Sequence, residues 1–285
     1  MNESYEGTCF AAAGDVHGYT HALVDLVCAW EQETGDDISF VLQVGDFEPH
    51  RDLDDLRTMA APMKYKELGA FHEYFTGRAT FPWPVYFVGG NHEPYGFLGQ
   101  HPQGAWLVPN CRYLGRVGVI TLAGLRVVFL TGIYREKDFR ASRPSVDQIE
   151  RLPNKRFTAI TEEDVVQALS YESADILLLH DWPTGIVAPG DEARFERKLR
   201  HPDQPQFGNP YARILIDLMH PQLVLCGHMH IPYEREIETS NGLTTKICCL
   251  GRADRGRVGL AVFRITSGSE MEPVNDRPGG DPSRE

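Results

Sequence analysis

The chain has 285 residues, 42% of them hydrophobic and 24% charged, with a formal net charge of −12. This composition is typical of a globular protein with one large domain or two small ones. The negative charge disfavours indiscriminate binding to nucleic acid or anionic membranes, so a nucleic-acid substrate needs a local basic patch. No apolar run is long enough for a bilayer, and the first residues lack the features of a signal peptide. With six cysteines and no CxxC pair, we expect a cytoplasmic location.

The first half of the chain predicts alternating strands and helices. Strands are predicted at Cys9–Ala13, Ile38–Val44, Val85–Val88, Gly118–Ala123 and Leu125–Thr131. Helices are predicted at Ala22–Trp30 and Pro62–Thr76, and a Gly- and Pro-rich loop at Tyr95–Cys111. The first strand, helix and strand form a βαβ unit, so both strands are parallel and their carboxyl ends lie at one edge of a sheet.

The second half continues the α/β pattern. Thr161 and Asp164 have the spacing of a capping box at the start of a helix. Further strands are predicted at Ile176–Leu179, Leu223–Cys226, Thr244–Leu250 and Val258–Ile265, and helices at Asp191–His201 and Pro210–Met219. Residues 1–267 are predicted to form a single domain, and residues 268–285, rich in Gly, Pro, Ser and charge, a disordered polar tail.

Residues 134–157 differ from the rest because they lack periodicity and carry seven basic against four acidic residues, a net charge of +3. Aromatic residues lie among these charges. A basic loop with interleaved aromatic rings can hold phosphates and stack bases. The alternative is a solvated loop of ordinary charge content. The substrate-binding candidates here are Tyr134, Arg135, Lys137, Phe139, Arg140 and Arg143.

Polar residues of metal-binding type directly follow five strand-like runs. They are Asp15 and His17, Asp46, Asn91 and His92, His180, and His228 and His230. Residues two apart in an extended segment face the same way, so Asp15 and His17 converge, as do His228 and His230. Because carboxyl ends of strands gather functional groups in α/β sheets, we expect the five stretches to meet in one divalent-metal site.

The series Gly14-Asp15-Val16-His17-Gly18, Gly45-Asp46, Gly90-Asn91-His92-Glu93, His180-Asp181 and Gly227-His228-Met229-His230 resembles the calcineurin-like metallophosphoesterase superfamily. Within it, the chain is similar to the RNA lariat debranching enzymes over roughly residues 8–265. The stretches that carry this closer similarity include Gly45-Asp46-Phe47, Lys64-Tyr65, Gly89–Glu93, Gly104-Ala105-Trp106, Pro109-Asn110, His180–Pro183 and Thr244-Thr245-Lys246. The resemblance implies a four-layer α/β/β/α sandwich with two central mixed β-sheets.

The same resemblance implies a role for each strand-end residue. One divalent metal ion would be held by Asp15, His17 and His230, a second by Asn91, His180 and His228, with Asp46 between them. His92 would face the scissile phosphate as general acid or transition-state stabiliser. Residues 134–157 would correspond to an inserted loop that grips branched RNA.

Two positions depart from the family pattern. Lariat debranching enzymes typically have a cysteine where this chain has Asp15. A carboxylate is a harder ligand than a thiolate, so among Mn, Fe and Zn it favours Mn or Fe. Many superfamily members carry a second Asp soon after Gly-Asp, whereas Phe47, Glu48 and Pro49 follow here. Glu48 is predicted to support the ligands or lie on the surface rather than bind metal.

Three functions follow from these observations. The leading hypothesis is a two-metal phosphodiesterase that hydrolyses RNA, with activity on 2′,5′ branches. The alternative is a general metallophosphoesterase for nucleotides or small phosphodiesters, and a non-catalytic binding scaffold is disfavoured because every expected ligand position is filled. The substrate partner is therefore RNA or a nucleotide phosphodiester; no membrane partner is expected, and no obligate protein partner can be inferred.

Overall fold

A computed structural model describes residues 5–192, 194–195, 207–239 and 241–274. The strands described are β1 Cys9–Ala13, β2 Ile38–Gln43, β3 Val85–Phe87, β4 Ala105–Val108, β5 Cys111–Tyr113, β6 Val117–Leu122, β7 Leu125–Leu130, β8 Ile176–Leu179, β9 Leu223–Cys226, β10 Tyr233–Glu238, β11 Thr244–Cys249, β12 Leu260–Ile265 and β13 Met271–Pro273. The α-helices described are α1 Thr20–Thr34, α2 Phe71–Phe75, α3 Tyr95–Leu98, α4 Glu136–Phe139, α5 Glu162–Leu169 and α6 Pro210–Met219. None of these helices combines the length and apolarity that crossing a membrane requires.

The strands form two mixed sheets. The seven-stranded sheet has the order β13-β12-β1-β2-β3-β5-β4, and the six-stranded sheet has the order β10-β11-β9-β8-β7-β6. β1 and β2 are parallel, as predicted, and β2 is parallel to β3. β8 is likewise parallel to β7 and β9. Each sheet therefore presents the carboxyl ends of its central strands at one edge.

Three hydrophobic cores divide the described chain into four layers. One lies between α1 and the seven-stranded sheet and includes Val27 and Val41. A second lies between the two sheets, and a third packs α5 and α6 against the six-stranded sheet. An amphipathic element must bury its apolar face, and two sheets stacked face to face leave one outer face each for helices. The predicted four-layer α/β/β/α sandwich is confirmed.

Local sequence signals set the ends of the outer helices. The Thr161 hydroxyl accepts a hydrogen bond from the Asp164 amide, and the Asp164 carboxylate accepts one from the Thr161 amide, which is the predicted capping box. α6 begins after Asn209, whose side chain accepts hydrogen bonds from Tyr211 and Ala212. Pro210 at its first position lacks an N–H that the helix could not use there.

The helix predicted at Pro62–Thr76 is wrong. Residues 63–65 form a single 3₁₀ turn, and the chain becomes helical again only in the short α2. Gly69 interrupts the segment with φ of +66°, and a Cβ there would lie 2.6 Å from the Gly18 carbonyl oxygen. The Ala70 amide also donates to that oxygen at 2.9 Å. Tertiary contact with the loop after β1 therefore overrides the helical periodicity.

One further prediction is corrected, and one strand was not predicted. Tyr95–Cys111 is not a plain loop, because it contains α3 and β4 and reaches the start of β5. β10, which pairs antiparallel with β11 at the edge of the six-stranded sheet, was not predicted. β10 is rich in charge, with Glu234, Arg235 and Glu236 in succession. An edge strand faces solvent and needs little apolar periodicity.

The predicted tail is partly ordered. β13 pairs with β12 through Phe263↔Pro273, Arg264↔Glu272 and Ile265↔Met271. Met271 packs on the core between the sheets, and this contact holds the short strand in place within an otherwise polar stretch. Residues 275–285, and most of the predicted helix Asp191–His201, lie outside the described residues. The division into a domain and a tail beyond that point stays a prediction.

Candidate metal centre

The polar residues that follow β1, β2, β3, β8 and β9 meet at the shared edge of the two sheets. Asp15, Asp46 and His180 are almost fully buried, with 0%, 1% and 0% of their surfaces exposed. His230 is exposed and the other members are partly buried, so the cluster opens to solvent on one side. The structure thus brings together all seven residues predicted to bind metal.

Several residues at this edge have positive φ, a backbone conformation that non-glycine residues rarely adopt. Within the described part of the chain ten non-glycine residues have positive φ, and five of them lie here: His17, Asp46, Glu48, His228 and His230. Each such residue costs on the order of 1–3 kcal/mol and persists only where the surroundings impose it. Strain concentrated on the residues that carry the polar groups indicates a site built for function.

A first donor group surrounds Asp15. His230 Nε2 lies 2.9 Å from Asp15 Oδ2, and His17 Nε2 lies 2.9 Å from His230 Nε2. The same His17 atom is 4.0 Å from Asp15 Oδ2 and 3.9 Å from Asp46 Oδ2. One oxygen or nitrogen atom from each of Asp15, His17, Asp46 and His230 lies within 4.8 Å of the corresponding atoms of the other three.

A second donor group shares Asp46. Its other members are His180 and His228, with ligand atoms again within 4.8 Å of one another. His180 Nε2 lies 3.5 Å from Asp46 Oδ1 and 3.3 Å from Asn91 Oδ1. The opposite ring nitrogen of His180, Nδ1, lies 2.9 Å from the Val44 carbonyl oxygen. That contact directs Nε2 at the cluster, and in the neutral imidazole with its proton on Nδ1 it would leave Nε2 as the metal-binding atom.

Glycines clear the space around the carboxylates. A Cβ on Gly90 would lie 2.2 Å from Asp46 Oδ1, and one on Gly227 would lie 2.1 Å from Asp15 Oδ1. A Cβ on Gly45 would lie 2.6 Å from His180 Nδ1. Only glycine lets backbone approach the donor groups this closely.

The ionised state of Asp46 and the neutral state of His228 favour cation binding. Burial opposes ionisation of Asp46, but the imidazoles of His180, His92 and His17 outweigh it and hold its pKa below its usual range. Burial, together with nearby His180, lowers the pKa of His228 to about 3. Burial also opposes a charge on His17 and His180, but Glu48 beside His17 and Asp46 beside His180 outweigh it and raise the pKa of each imidazole. Because metal ligands must be deprotonated, a bound cation would displace any proton from these two imidazoles. Mixed imidazole, carboxylate and amide donors fit first-row divalent cations, so the residues present can hold such ions.

His92 and Glu48 form a third group beside the first. Glu48 Oε1 lies 2.8 Å from His17 Nδ1 and 3.4 Å from His92 Nδ1, and Glu48 is only 2% exposed. Burial disfavours a charge on His92, but Asp46 and Glu48 outweigh it and raise its pKa to about 9. The structure excludes a surface position for Glu48 and places its carboxylate between a ligand candidate and the catalytic candidate.

Glu93 ties two ligand loops together. Its buried carboxylate accepts hydrogen bonds from the amides of Phe47 at 2.9 Å, Glu48 at 2.9 Å and Gly90 at 3.0 Å. Burial and the nearby Asp46 charge raise its pKa to about 7, although the three amides oppose the shift. This role of Glu93 was not predicted, and an acidic residue adjacent to a ligand motif was the only sequence signal for it. Glu48, in contrast, takes the supporting position that was one of its two predicted alternatives.

The predicted substrate loop begins beside the second donor group, where the Tyr134 amide donates to Asp181 Oδ2 at 2.8 Å. Lys137 and Arg140 are exposed, while Arg135 pairs with Asp138 at 2.8 Å. Burial raises the pKa of Asp181 to about 6. The loop thus presents the side chains of Lys137 and Arg140 to solvent.

Two members of the predicted substrate set are corrected. Phe139 is only 2% exposed and its ring stacks on Tyr211 at a centroid distance of 3.8 Å, so no base can stack on it as placed. Arg143 forms an ion pair with Asp164 and donates to the Ala159 carbonyl at 3.0 Å. Both side chains fasten the loop to the fold because α5 and α6 supply their partners.

The four layers, with two donor groups that share Asp46 at one sheet edge, define a metal-binding α/β/β/α sandwich. Residues 10–232 match the calcineurin-like phosphoesterase family, and the chain belongs to that family.

Three relatives with similar sequences are all lariat debranching enzymes. The chain is 30% identical over 236 residues to the lariat debranching enzyme of Drosophila pseudoobscura pseudoobscura, covering 81% of this chain and 44% of the relative. It is 34% identical over 233 residues to that of Entamoeba histolytica, covering 79% and 65%. It is 30% identical over 275 residues to that of Schizosaccharomyces pombe, covering 92% and 55%. The chain therefore spans about half to two thirds of the length of these relatives.

Proposed function

We propose that this protein is a dinuclear metal-dependent phosphodiesterase that hydrolyses RNA, including the 2′,5′ bond of a branch. The observation that carries the proposal is the pair of donor groups sharing Asp46 with His92 alongside. Similarity to lariat debranching enzymes supports RNA as the substrate class. The cytoplasmic location stays a prediction of the sequence.

Asp15, His17 and His230 would hold one cation; Asn91, His180 and His228 would hold the other, with Asp46 contributing to both. Asp15 favours Mn or Fe over Zn, because a carboxylate is a hard ligand. Divalent cations held by these residues would supply neutralisation of the phosphate charge and a more acidic water. Glu48 and the Val44 carbonyl keep His17 and His180 oriented for this purpose.

His92 is positioned for proton transfer. Its amide donates to Asp46 Oδ1 at 2.8 Å, which fixes the backbone against the second donor group. Its side chain is 20% exposed, so part of the imidazole is accessible from solvent. From there it can protonate the departing ribose oxygen, a contribution of about 10²–10⁴-fold in rate.

The test uses Mn²⁺-loaded protein and an RNA that carries one 2′,5′ and one 3′,5′ linkage at the same adenosine. Analysis of the products identifies the bond that breaks. Selective loss of the 2′,5′ bond supports debranching activity. If neither bond breaks while a small phosphodiester is hydrolysed, RNA is not the substrate.

A second candidate, hydrolysis of nucleotides or small phosphodiesters, is favoured by the loop itself. Phe139 and Arg143 are turned into the fold, which leaves fewer groups to grip a polymer. Substituting Lys137→Glu and Arg140→Glu together separates the two candidates, because both side chains are exposed. RNA hydrolysis should fall far more than hydrolysis of a small diester if RNA is the substrate, and both should be unchanged otherwise.

A further inference from the structure

Tyr65 is an exposed aromatic residue beside the catalytic candidate. Its ring centroid lies 6.4 Å from that of His92, with the planes inclined at 56°. Even so, 52% of its surface is exposed. Exposure of a single ring is ordinary in itself, and it is the position of this ring next to a partly exposed catalytic candidate that makes it accessible to a bound substrate.

The fold anchors the backbone segment that carries this ring. Tyr65 ends a 3₁₀ turn closed by its amide donating to the Pro62 carbonyl at 2.9 Å. Lys66 Nζ donates to the Leu56 carbonyl at 2.8 Å. Farther on, Gly69 packs against Gly18, the residue after His17. The segment is therefore anchored to a ligand loop.

A cation shares the same ring. Lys64 Nζ lies 4.6 Å from the Tyr65 ring centroid, over one face. Lys64 is exposed, so its ammonium is accessible to an anion. An open aromatic ring with an adjacent ammonium is the combination that binds a base together with its phosphate in sequence-tolerant nucleic-acid sites.

We propose that Tyr65 is a stacking subsite for the nucleobase adjacent to the scissile phosphate, with Lys64 contacting the phosphate chain. This rests on the proposed function of the neighbouring metal centre and adds a specificity element to it. Tyr65 acts through its ring, since its exposed hydroxyl is not required for a base to stack. The subsite selects substrates that carry a base over simple phosphodiesters.

The test measures binding rather than hydrolysis. The Mn²⁺-loaded full chain is titrated with AMP and with ribose 5-phosphate, which share the sugar and phosphate but differ in the base. Wild type, Tyr65→Ala and Tyr65→Phe are compared. Trp106→Ala is the matched control, because Trp106 is similarly exposed, at 51%, but lies on β4 at the outer edge of the sheet.

Wild type should bind AMP about 5- to 150-fold more tightly than ribose 5-phosphate, the worth of one base–aromatic stack. Tyr65→Ala should abolish that preference and leave ribose 5-phosphate binding unchanged, while Tyr65→Phe and Trp106→Ala keep it. The proposal is overturned if wild type shows no preference, if Tyr65→Ala retains it, or if Tyr65→Ala weakens both ligands equally. Failure to cleave RNA would overturn the proposed function alone, since binding is measured independently.

Discussion

Glu48 Oε1 lies 2.8 Å from His17 Nδ1, and this contact turns the opposite nitrogen of His17 toward Asp15 and Asp46. The carboxylate is buried, and its backbone, with φ of +57°, is held by a hydrogen bond from its amide to Glu93. Partners of this kind fix the tautomer and direction of a ligating imidazole. Glu48 and Glu93, which do not belong to the predicted ligand set, are thus held in place by specific hydrogen bonds, as His17 is.

Removing the Glu48 carboxylate should weaken metal binding. In Glu48→Ala we expect about a 10- to 100-fold loss of Mn²⁺ affinity, because His17 is no longer oriented. Glu48→Gln, which keeps an oxygen acceptor, should lose less. Titration calorimetry measures both, with the exposed Glu67→Ala as control. Equal affinity in Glu48→Ala and wild type would show that the contact has no part in binding.

Replacing His92 should separate chemistry from metal binding. His92→Ala is expected to lower turnover by about 10²–10⁴-fold, since proton transfer to the leaving group is lost. Bound metal should stay near the wild-type level, because His92 belongs to neither donor group around Asp46. Elemental analysis beside kinetics on a small diester checks this. His21→Asn, at a half-exposed histidine, is the control; loss of metal in His92→Ala would contradict the assignment.

Filling the space at Gly227 should expel metal. A Cβ there would lie 2.1 Å from Asp15 Oδ1 and 2.6 Å from Val44 Cγ2, so Gly227→Ala must displace the carboxylate. We expect a loss of bound metal and about 1–3 kcal/mol of unfolding free energy. Gly77→Ala strains the backbone at φ of +74° but meets no atom within 4 Å. It should cost stability without loss of metal, and metal retained in Gly227→Ala would refute the reasoning.

The ligand chemistry of Asp15 should set metal preference. Asp15→Cys replaces a hard oxygen donor with a soft thiolate at a fully buried position. We expect the protein to retain Zn²⁺ and to lose preference for Mn²⁺ when both ions compete. Elemental analysis after exposure to an equimolar mixture measures the ratio. An unchanged ratio would show that the six remaining donors determine selectivity.

Much of the site could be predicted because strand ends bring distant residues together by rule. β8, β9 and α6 have the predicted bounds, since each has an uninterrupted apolar pattern with clear end signals. The five polar stretches directly follow five strands, and the carboxyl ends of those strands lie at the edge shared by the two sheets. The rule therefore predicted that the stretches meet there. The resemblance supplied the second sheet, which periodicity alone did not indicate.

What could not be predicted depends on contacts between distant segments. The break in the helix predicted at 62–76 comes from Gly69 meeting Gly18. The buried role of Glu48 depends on a left-handed backbone that one acidic residue in a turn does not reveal. Phe139 has the same local sequence whether it faces solvent or Tyr211, and only tertiary packing decides.

The central claim is that the donor groups around Asp46 hold two divalent cations. Anomalous diffraction from crystals grown with Mn²⁺ measures this directly. We predict two peaks, one contacted by Asp15, His17 and His230 and the other by Asn91, His180 and His228, with Asp46 contacting both. A single peak, or peaks away from Asp46, would contradict the account.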